Sequence, residues 1–280
     1  MLEIGLLQTG DIPRCVRFCQ WAGWEQAKAD WRRLLALCPQ GQFIARYKGI
    51  PCGAVCTVRY GSGLGWMGLL FVHPDYRRRG IGSALMNRGI EYLRHEGIRH
   101  IKIDATDAGR SVFLKLGFDD ERPVHVYVGS LEEQHLEARE RVVDDSTWSV
   151  ISEMDRLAFG ADRLALLRLL QAEEFSACAL PGADGGAGYG FARAQFDTSY
   201  IGPLVANSAE AARHVTATLL EQLPAGKVMM RLLPDNLAAK ELAVSLGFHL
   251  HERLTRMYLG TVCNPGVLEH VFATAGCQFG

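Results

Sequence analysis

At 280 residues the chain has room for one large domain or two ordinary ones, and 48% hydrophobic with 22% charged residues is a globular composition. A formal net charge of −1 argues against a dedicated nucleic-acid binder, which needs a basic face. No stretch is apolar for long enough to span a membrane. Met1-Leu2-Glu3-Ile4-Gly5 lacks the basic and apolar regions of a signal peptide. A cytoplasmic protein with no nucleic-acid or membrane partner is expected.

In chain order, the hydrophobic pattern predicts strands near 2–6, 41–47, 51–60, 66–73, 101–105, 118–121 and 124–128. Helices are predicted near 11–20, 25–37, 81–96 and 108–116. A charged, polar stretch at 131–145 reads as a connector. After it come helices near 149–159 and 161–171, then strands near 175–180, 187–196 and 199–205. A helix near 208–222, a strand near 227–233, a helix near 236–246 and a strand near 248–259 follow, with Val271-Phe272-Ala273-Thr274 as a last strand. Alternating strands and helices that open on hairpins indicate an α/β protein with a mixed sheet. The eight cysteines form no C-x-x-C pair and have no histidine at zinc-finger spacing, so they read as reduced core residues.

The most informative stretch is Arg77-Arg78-Arg79-Gly80-Ile81-Gly82. An apolar strand ending Val72-His73-Pro74-Asp75 precedes it, and Ser83-Ala84-Leu85-Met86 opens a helix after it. Glycines without Cβ let the chain turn tightly and bring N–H groups close to a ligand. The first helical turn carries N–H groups without internal partners and a partial positive charge, which suits phosphate. No Gly-Lys-Ser/Thr follows, so this is not a P-loop, and the third glycine of a dinucleotide fold is missing.

The strand, Val72-His73-Pro74, Tyr76-Arg77 and Arg77-x-x-Gly80-x-Gly82 together resemble the acetyl-CoA loop of the GCN5-related N-acetyltransferases (GNATs). Leu116-Gly117-Phe118, closing a helix downstream, is another habit of that family. The resemblance covers roughly residues 1–130. It also repeats: Leu116-Gly117-Phe118 recurs as Leu246-Gly247-Phe248, Glu121-Arg122 as Glu252-Arg253, and Tyr127-Val128-Gly129 as Tyr258-Leu259-Gly260. Ordered matches at a nearly constant offset of roughly 130 residues signal duplicated domains. The expected organisation is a GNAT domain at 1–130, a connector at 131–145 and a second GNAT-like domain at 146–280. In the second domain Ile201-Gly202-Pro203-Leu204-Val205-Ala206-Asn207-Ser208 stands where the loop would be, so it is expected to shape the acceptor pocket rather than bind CoA.

The resemblance implies transfer of an acetyl group from acetyl-CoA to a primary amine by direct attack, with no metal. It implies that Leu70, Phe71 and Val72 pair with the pantetheine arm, and that an N–H of that strand holds the developing oxyanion. Arg78, Arg79, Gly80, Ile81, Gly82 and Ser83 would cradle the pyrophosphate with Arg77 as buttress, and Thr106 and Phe113 would complete the cofactor side. Many relatives place a Tyr acid at the position that is Phe113 here. Tyr127 or Tyr60, or a water, would then protonate the thiolate. Asp30, Glu25, Asp155 and Asp162 are unranked candidates for the base. Trp21, Trp24 and Trp31 crowd the region that forms the acceptor lid in the family. Trp24 is a candidate cation–π surface. Asp162 is a second acceptor-side candidate, although Asp162-Arg163 reads foremost as a helix cap, and His73 as a solvated loop residue. The acceptor is expected to be a small molecule and the protein a monomeric pseudo-dimer or a homodimer. The alternatives are a catalytically silent acetyl-CoA-binding module and a protein N-terminal or lysine acetyltransferase.

Overall fold

The structure, a computed structural model, describes residues 1–132, 147–173, 175–179, 186–195, 197–261 and 266–280. Most of the expected connector at 131–145 lies outside them. The chain divides into two compact units. Unit 1 comprises Met1–Glu121, Arg256–Cys263 and Cys277–Gly280; unit 2 comprises Arg122–Thr255 and Asn264–Gly276.

Unit 1 begins with β1 (Leu2–Leu6), α1 (Ile12–Ala22) and α2 (Lys28–Leu37). Then come β2 (Phe43–Tyr47), β3 (Ile50–Tyr60), β4 (Leu64–Val72), α3 (Ile81–His95), β5 (His100–Ala105) and α4 (Asp107–Lys115). Strands β1 to β4 form an antiparallel meander, and β4 then pairs parallel with β5. In α1, Ile12, Cys15, Val16 and Cys19 recur at helical spacing and are buried. Gly23 ends it with a φ of 71°, the left-handed conformation that glycine adopts without a Cβ penalty. In α3 the buried stripe is Ile81, Leu85, Met86, Gly89, Ile90 and Leu93, and it packs with Met67, Ile101 and Ile103 in one core.

Unit 2 holds α5 (Trp148–Phe159), α6 (Leu164–Glu173), β7 (Phe175–Ala179), β8 (Gly188–Gln195), β9 (Thr198–Ala206) and α7 (Ala209–Gln222). After these come β10 (Gly226–Leu232), α8 (Leu237–Ser245) and the short β12 (Val271–Ala273) beside β9. Strands β7, β8 and β9 are antiparallel, β9 and β10 parallel.

Two long strands make the division differ from a single cut at 131–145. Strand β6 runs unbroken over Asp119–Leu131, and its residues from His125 to Leu131 pair antiparallel with β10, which puts them in the sheet of unit 2. The expected pair of strands at 118–121 and 124–128 is therefore one strand, with Pro123 exposed within it. Strand β11 (His249–Gly260) splits likewise, and its residues 256–260 lie beside β5 in unit 1.

Candidate functional site

In unit 1 the parallel register of β4 on β5 runs from Leu64–His100 to Met67–Ile103, and residues 68–72 of β4 continue past it. Just there β4 bulges. Ala54 of β3 faces Phe71 and Cys56 faces Gly68, so Leu69 and Leu70 oppose the single residue Val55. Leu69 carries the turn with a φ of 50°, which is strained for a side chain of its size. The extra residue inverts the alternation of the strand. Met67 packs toward α3, and beyond the bulge Leu70 and Val72 do so as well. Phe71 turns to the opposite face and stacks on Phe18 of α1 with centroids 4.8 Å apart.

Past β4 the chain makes a short turn over Pro74–Tyr76 and enters the basic loop. The Arg77 side chain donates from Nε to the Val72 carbonyl at 2.9 Å, tying the loop to the strand end. Arg78 and Gly80 both take left-handed φ values, 59° and 76°. Arg79 lies over the rings of Tyr47 and Tyr76. Gly80 occupies the cap position of α3 with no capping side chain, and the first helical hydrogen bond runs from the Ala84 N–H to the Gly80 carbonyl. The N–H groups of Ile81, Gly82 and Ser83 precede it, where a helix has no internal acceptors. Helix α7 of unit 2 follows β9 as α3 follows β4, but there Ser208 accepts from the Ala211 N–H. One of the two starts is filled by its own side chain; the other has no capping side chain.

The face of β4 carrying Trp66, Gly68 and Phe71 meets α1 and the segment Cys277–Gly280. Trp66 donates from Nε1 to the Cys277 carbonyl at 2.9 Å. Arg256 stacks over Trp66 and forms a two-pronged pair with Asp104. Trp24 sets its edge on Phe71, and Trp21 sets its edge on His73. Burial pushes the thiols of Cys19 and Cys56 well above their ordinary range, so neither is poised as a nucleophile.

Comparison with known proteins assigns both halves of the sequence to one family. Residues 14–118 match the acetyltransferase (GNAT) family profile and residues 151–273 match an acetyltransferase (GNAT) domain profile. The chain belongs to the GNAT acetyltransferase family. It is 32% identical over 114 residues to an uncharacterized N-acetyltransferase of Methanocaldococcus jannaschii, covering 38% of this chain and 48% of that one. The chain thus spans about half the length of that curated relative. A crystal structure of a protein from Pyrococcus horikoshii assigned as an acetyltransferase superposes with a TM-score of 0.79 at 25% identity, over 100% of this chain and 96% of that one. A tandem GNAT protein from the clavulanic acid biosynthesis pathway superposes with a TM-score of 0.69 at 17% identity, over 94% and 100% of the two chains, which shows a shared fold.

The remaining expected residues of this tandem GNAT protein fall in several places. Thr106 caps α4 by accepting from the Gly109 N–H. Phe113 is buried in the core behind α4, against Phe118. Tyr60 is buried and donates to the Phe279 carbonyl at 2.7 Å. Tyr127 lies in the core of unit 2 with Ile201 and Phe248. Asp30, fully buried, accepts from the Ala27 N–H, Arg33 and Gln278, so it anchors the start of α2. In unit 2, Asp162 caps α6 through the Leu164 N–H, while Arg163 turns inward to a two-pronged pair with Asp155, which also accepts from the Tyr189 hydroxyl. The Asp162-Arg163 pair is therefore half a cap and half a buried ion pair. His73 accepts from the Asp75 N–H and caps the Pro74–Tyr76 turn. Sequence reasoning missed the segment Cys277–Gly280 and Gln26, because both reach β4 through contacts distant in sequence.

Proposed function

We propose that this protein is an N-acetyltransferase that takes acetyl-CoA as donor in unit 1 and passes the acetyl group directly to a primary amine of a small molecule. The observation that carries this reading is the continuous run from the β4 bulge through Arg78 and Gly80 into the uncapped start of α3. The N–H groups of Ile81, Gly82 and Ser83, with the basic loop, suit a pyrophosphate. The stretch of β4 beyond the β5 register offers backbone groups to an amide-bearing arm, and the strained turn at Leu69 re-aims an N–H toward a developing oxyanion. Acetyl-CoA supplies an acyl group already activated as a thioester. The tandem GNAT protein of the clavulanic acid pathway was solved in a state without acetyl-CoA, and the same compound is the donor chosen here. In this reading unit 2, whose α7 start is filled by Ser208, binds no CoA.

A second reading, a silent acetyl-CoA-binding module, is favoured by Phe113. It stands in the core at the position of the family's tyrosine acid, and Tyr60 and Tyr127 are buried elsewhere. The enzyme reading assigns thiolate protonation to water, which a moderately good leaving group permits. Release of free CoA from acetyl-CoA in the presence of a panel of small primary amines separates the two. Tight acetyl-CoA binding without amine-dependent thiol release would establish the silent module.

A further inference from the structure

We propose that Trp21, His73 and Tyr76 form a subsite that binds a carboxylate carried by the acceptor, at the end of β4 and away from the amine. The inference rests on the acetyltransferase reading, to which it adds the acceptor's second functional group and the residues that recognise it. Trp21 lies in the last turn of α1, while His73 opens and Tyr76 closes the short turn after β4, so all three belong to unit 1.

Donor direction sets the chemistry. The Asp75 N–H donates to His73 Nδ1 at 3.3 Å, so that nitrogen is the acceptor of the ring and the hydrogen sits on Nε2. The Asp75 carboxylate lies on the same occupied side, 3.8 Å from Nδ1. The Nε2–H has no acceptor among the described residues. Trp21 stands edge-on to this imidazole with centroids 4.8 Å apart, and Tyr76 flanks it at 5.8 Å. The indole N–H, which only donates, and the Tyr76 hydroxyl are likewise unpaired among the described residues. These donors face solvent: Trp21 is 49% exposed, the His73 side chain 26%, and Tyr76 is half-buried. A ligand therefore reaches them without opening the core.

Charge selects the ligand. Arg14 lies over the Trp21 ring and Arg79 over that of Tyr76, and neither pairs with a carboxylate among the described residues. Adjacent donors between two guanidinium groups attract an anion and repel a cation. Arg79 belongs to the loop assigned to pyrophosphate, which leaves Arg14 as the cation of this corner and matches a single negative charge. A carboxylate carries that charge on two oxygens, which neighbouring N–H groups reach together. Location ties the subsite to the acceptor. Trp21 borders Phe71, the first residue past the β4 bulge, with centroids 6.4 Å apart. His73 stands three residues beyond Leu70, about 10 Å along an extended strand. The acceptor is thus a molecule whose amine and carboxylate are separated by about that length.

The probes are 8-aminooctanoate and its neutral amide, 8-aminooctanamide, titrated calorimetrically into the CoA-saturated full chain at fixed ionic strength. The carboxylate should bind about tenfold more tightly, as for one hydrogen bond to a charged group. His73→Asn keeps an oxygen to cap the Asp75 N–H but loses the distal donor, and Trp21→Phe keeps a ring without its N–H. Each should weaken carboxylate binding about fivefold and leave the amide within about twofold. Absent binding, equal affinity for the two probes, or equal losses for both in the variants would overturn the proposal. So would displacement of the carboxylate by inorganic phosphate at lower concentration than by acetate. Should His73→Asn unfold, Trp21→Phe gives the same readout at an exposed position. Acetyl transfer from acetyl-CoA, followed as thiol release, separates this inference from the reading beneath it. Release with equal kcat/KM for both probes removes the subsite alone, whereas the binding preference without any release removes the transferase reading alone. If the unaltered chain binds no CoA, the donor assignment fails, and titration of the probes into the chain alone still decides the subsite.

Discussion

The Cys277 carbonyl presses against Gly68: a Cβ built on that glycine would stand 2.7 Å from the oxygen and 3.0 Å from the Gln278 Cα. Both neighbours are backbone, which cannot swing aside as a side-chain tip can. Gly68→Ala must displace the segment Cys277–Gly280 from β4 and loosen the Trp66 and Tyr60 bonds to it. A destabilisation of about 1–3 kcal/mol is expected from the overpacking. Urea unfolding checks it; an unchanged midpoint would show that the segment is not held where β4 leaves room for it.

The pair of Arg256 with Asp104 is buried on both sides, 7% and 0% exposed, at 2.8 Å. Removing the carboxylate strands a guanidinium that has been taken out of water. Asp104→Ala should destabilise the protein by about 3–5 kcal/mol, whereas a Met at 256 combined with Asn at 104 should recover part of that loss, because no buried charge remains. Denaturant midpoints of the unaltered protein and the two variants test the ordering.

How much of this was readable beforehand depended on sequence distance. The turn of the basic loop into α3 was legible because glycine, arginine and proline act locally: Gly80 sits where a positive φ is needed and Arg77 reaches back only to Val72. The inversion at Leu69 was hidden, since a bulge is set by the partner strand and leaves no mark on a run of apolar residues. Pro123 suggested a break in what is one strand, because its exposed edge position tolerates the missing N–H. The bond from Trp66 to Cys277 spans 211 residues, so no periodicity could have placed that segment on β4. Asp30 was one of four unranked candidates for the base, because the partners of a carboxylate in an early helix, here the Ala27 N–H, Arg33 and Gln278, cannot be read from the sequence.

Burial holds the His100 imidazole below its ordinary value of 6.5; Lys102 acts in the same direction, while the Thr261 carbonyl and Glu121 oppose it. His125 is shifted the same way by burial, Arg253 and Lys240. The native protein therefore resists a proton that the unfolded chain accepts. The stability this contributes is present above the unfolded value and is lost as pH falls below it. Melting temperature should drop on acidification from pH of about 7 to 5, and His100→Gln should flatten that slope. Melts across this range in the two proteins decide it; an unaltered slope in the variant would remove His100 from the account.

Gly82 gives the sharpest test of the loop. A Cβ there meets only Val72 Cγ2, at 3.7 Å, an ordinary contact, and the residue lies in the first turn of α3 with a normal helical φ. The fold therefore tolerates a side chain, and any loss must come from the ligand side. Gly82→Val sets branched methyls beside the N–H groups to which the proposed function assigns the pyrophosphate, and would block its close approach. Affinity for acetyl-CoA should fall by about a hundredfold or more, the loss of several charge-assisted bonds at once, with melting within a few degrees of the unaltered protein. Gly80→Val is the contrasting variant. Its φ of 76° is unfavourable for a branched residue although nothing lies within 4 Å of the added carbon, so it should lose stability as well as affinity. Calorimetry and melting of the two variants separate the roles, and undiminished acetyl-CoA affinity in Gly82→Val would withdraw the loop from the donor site.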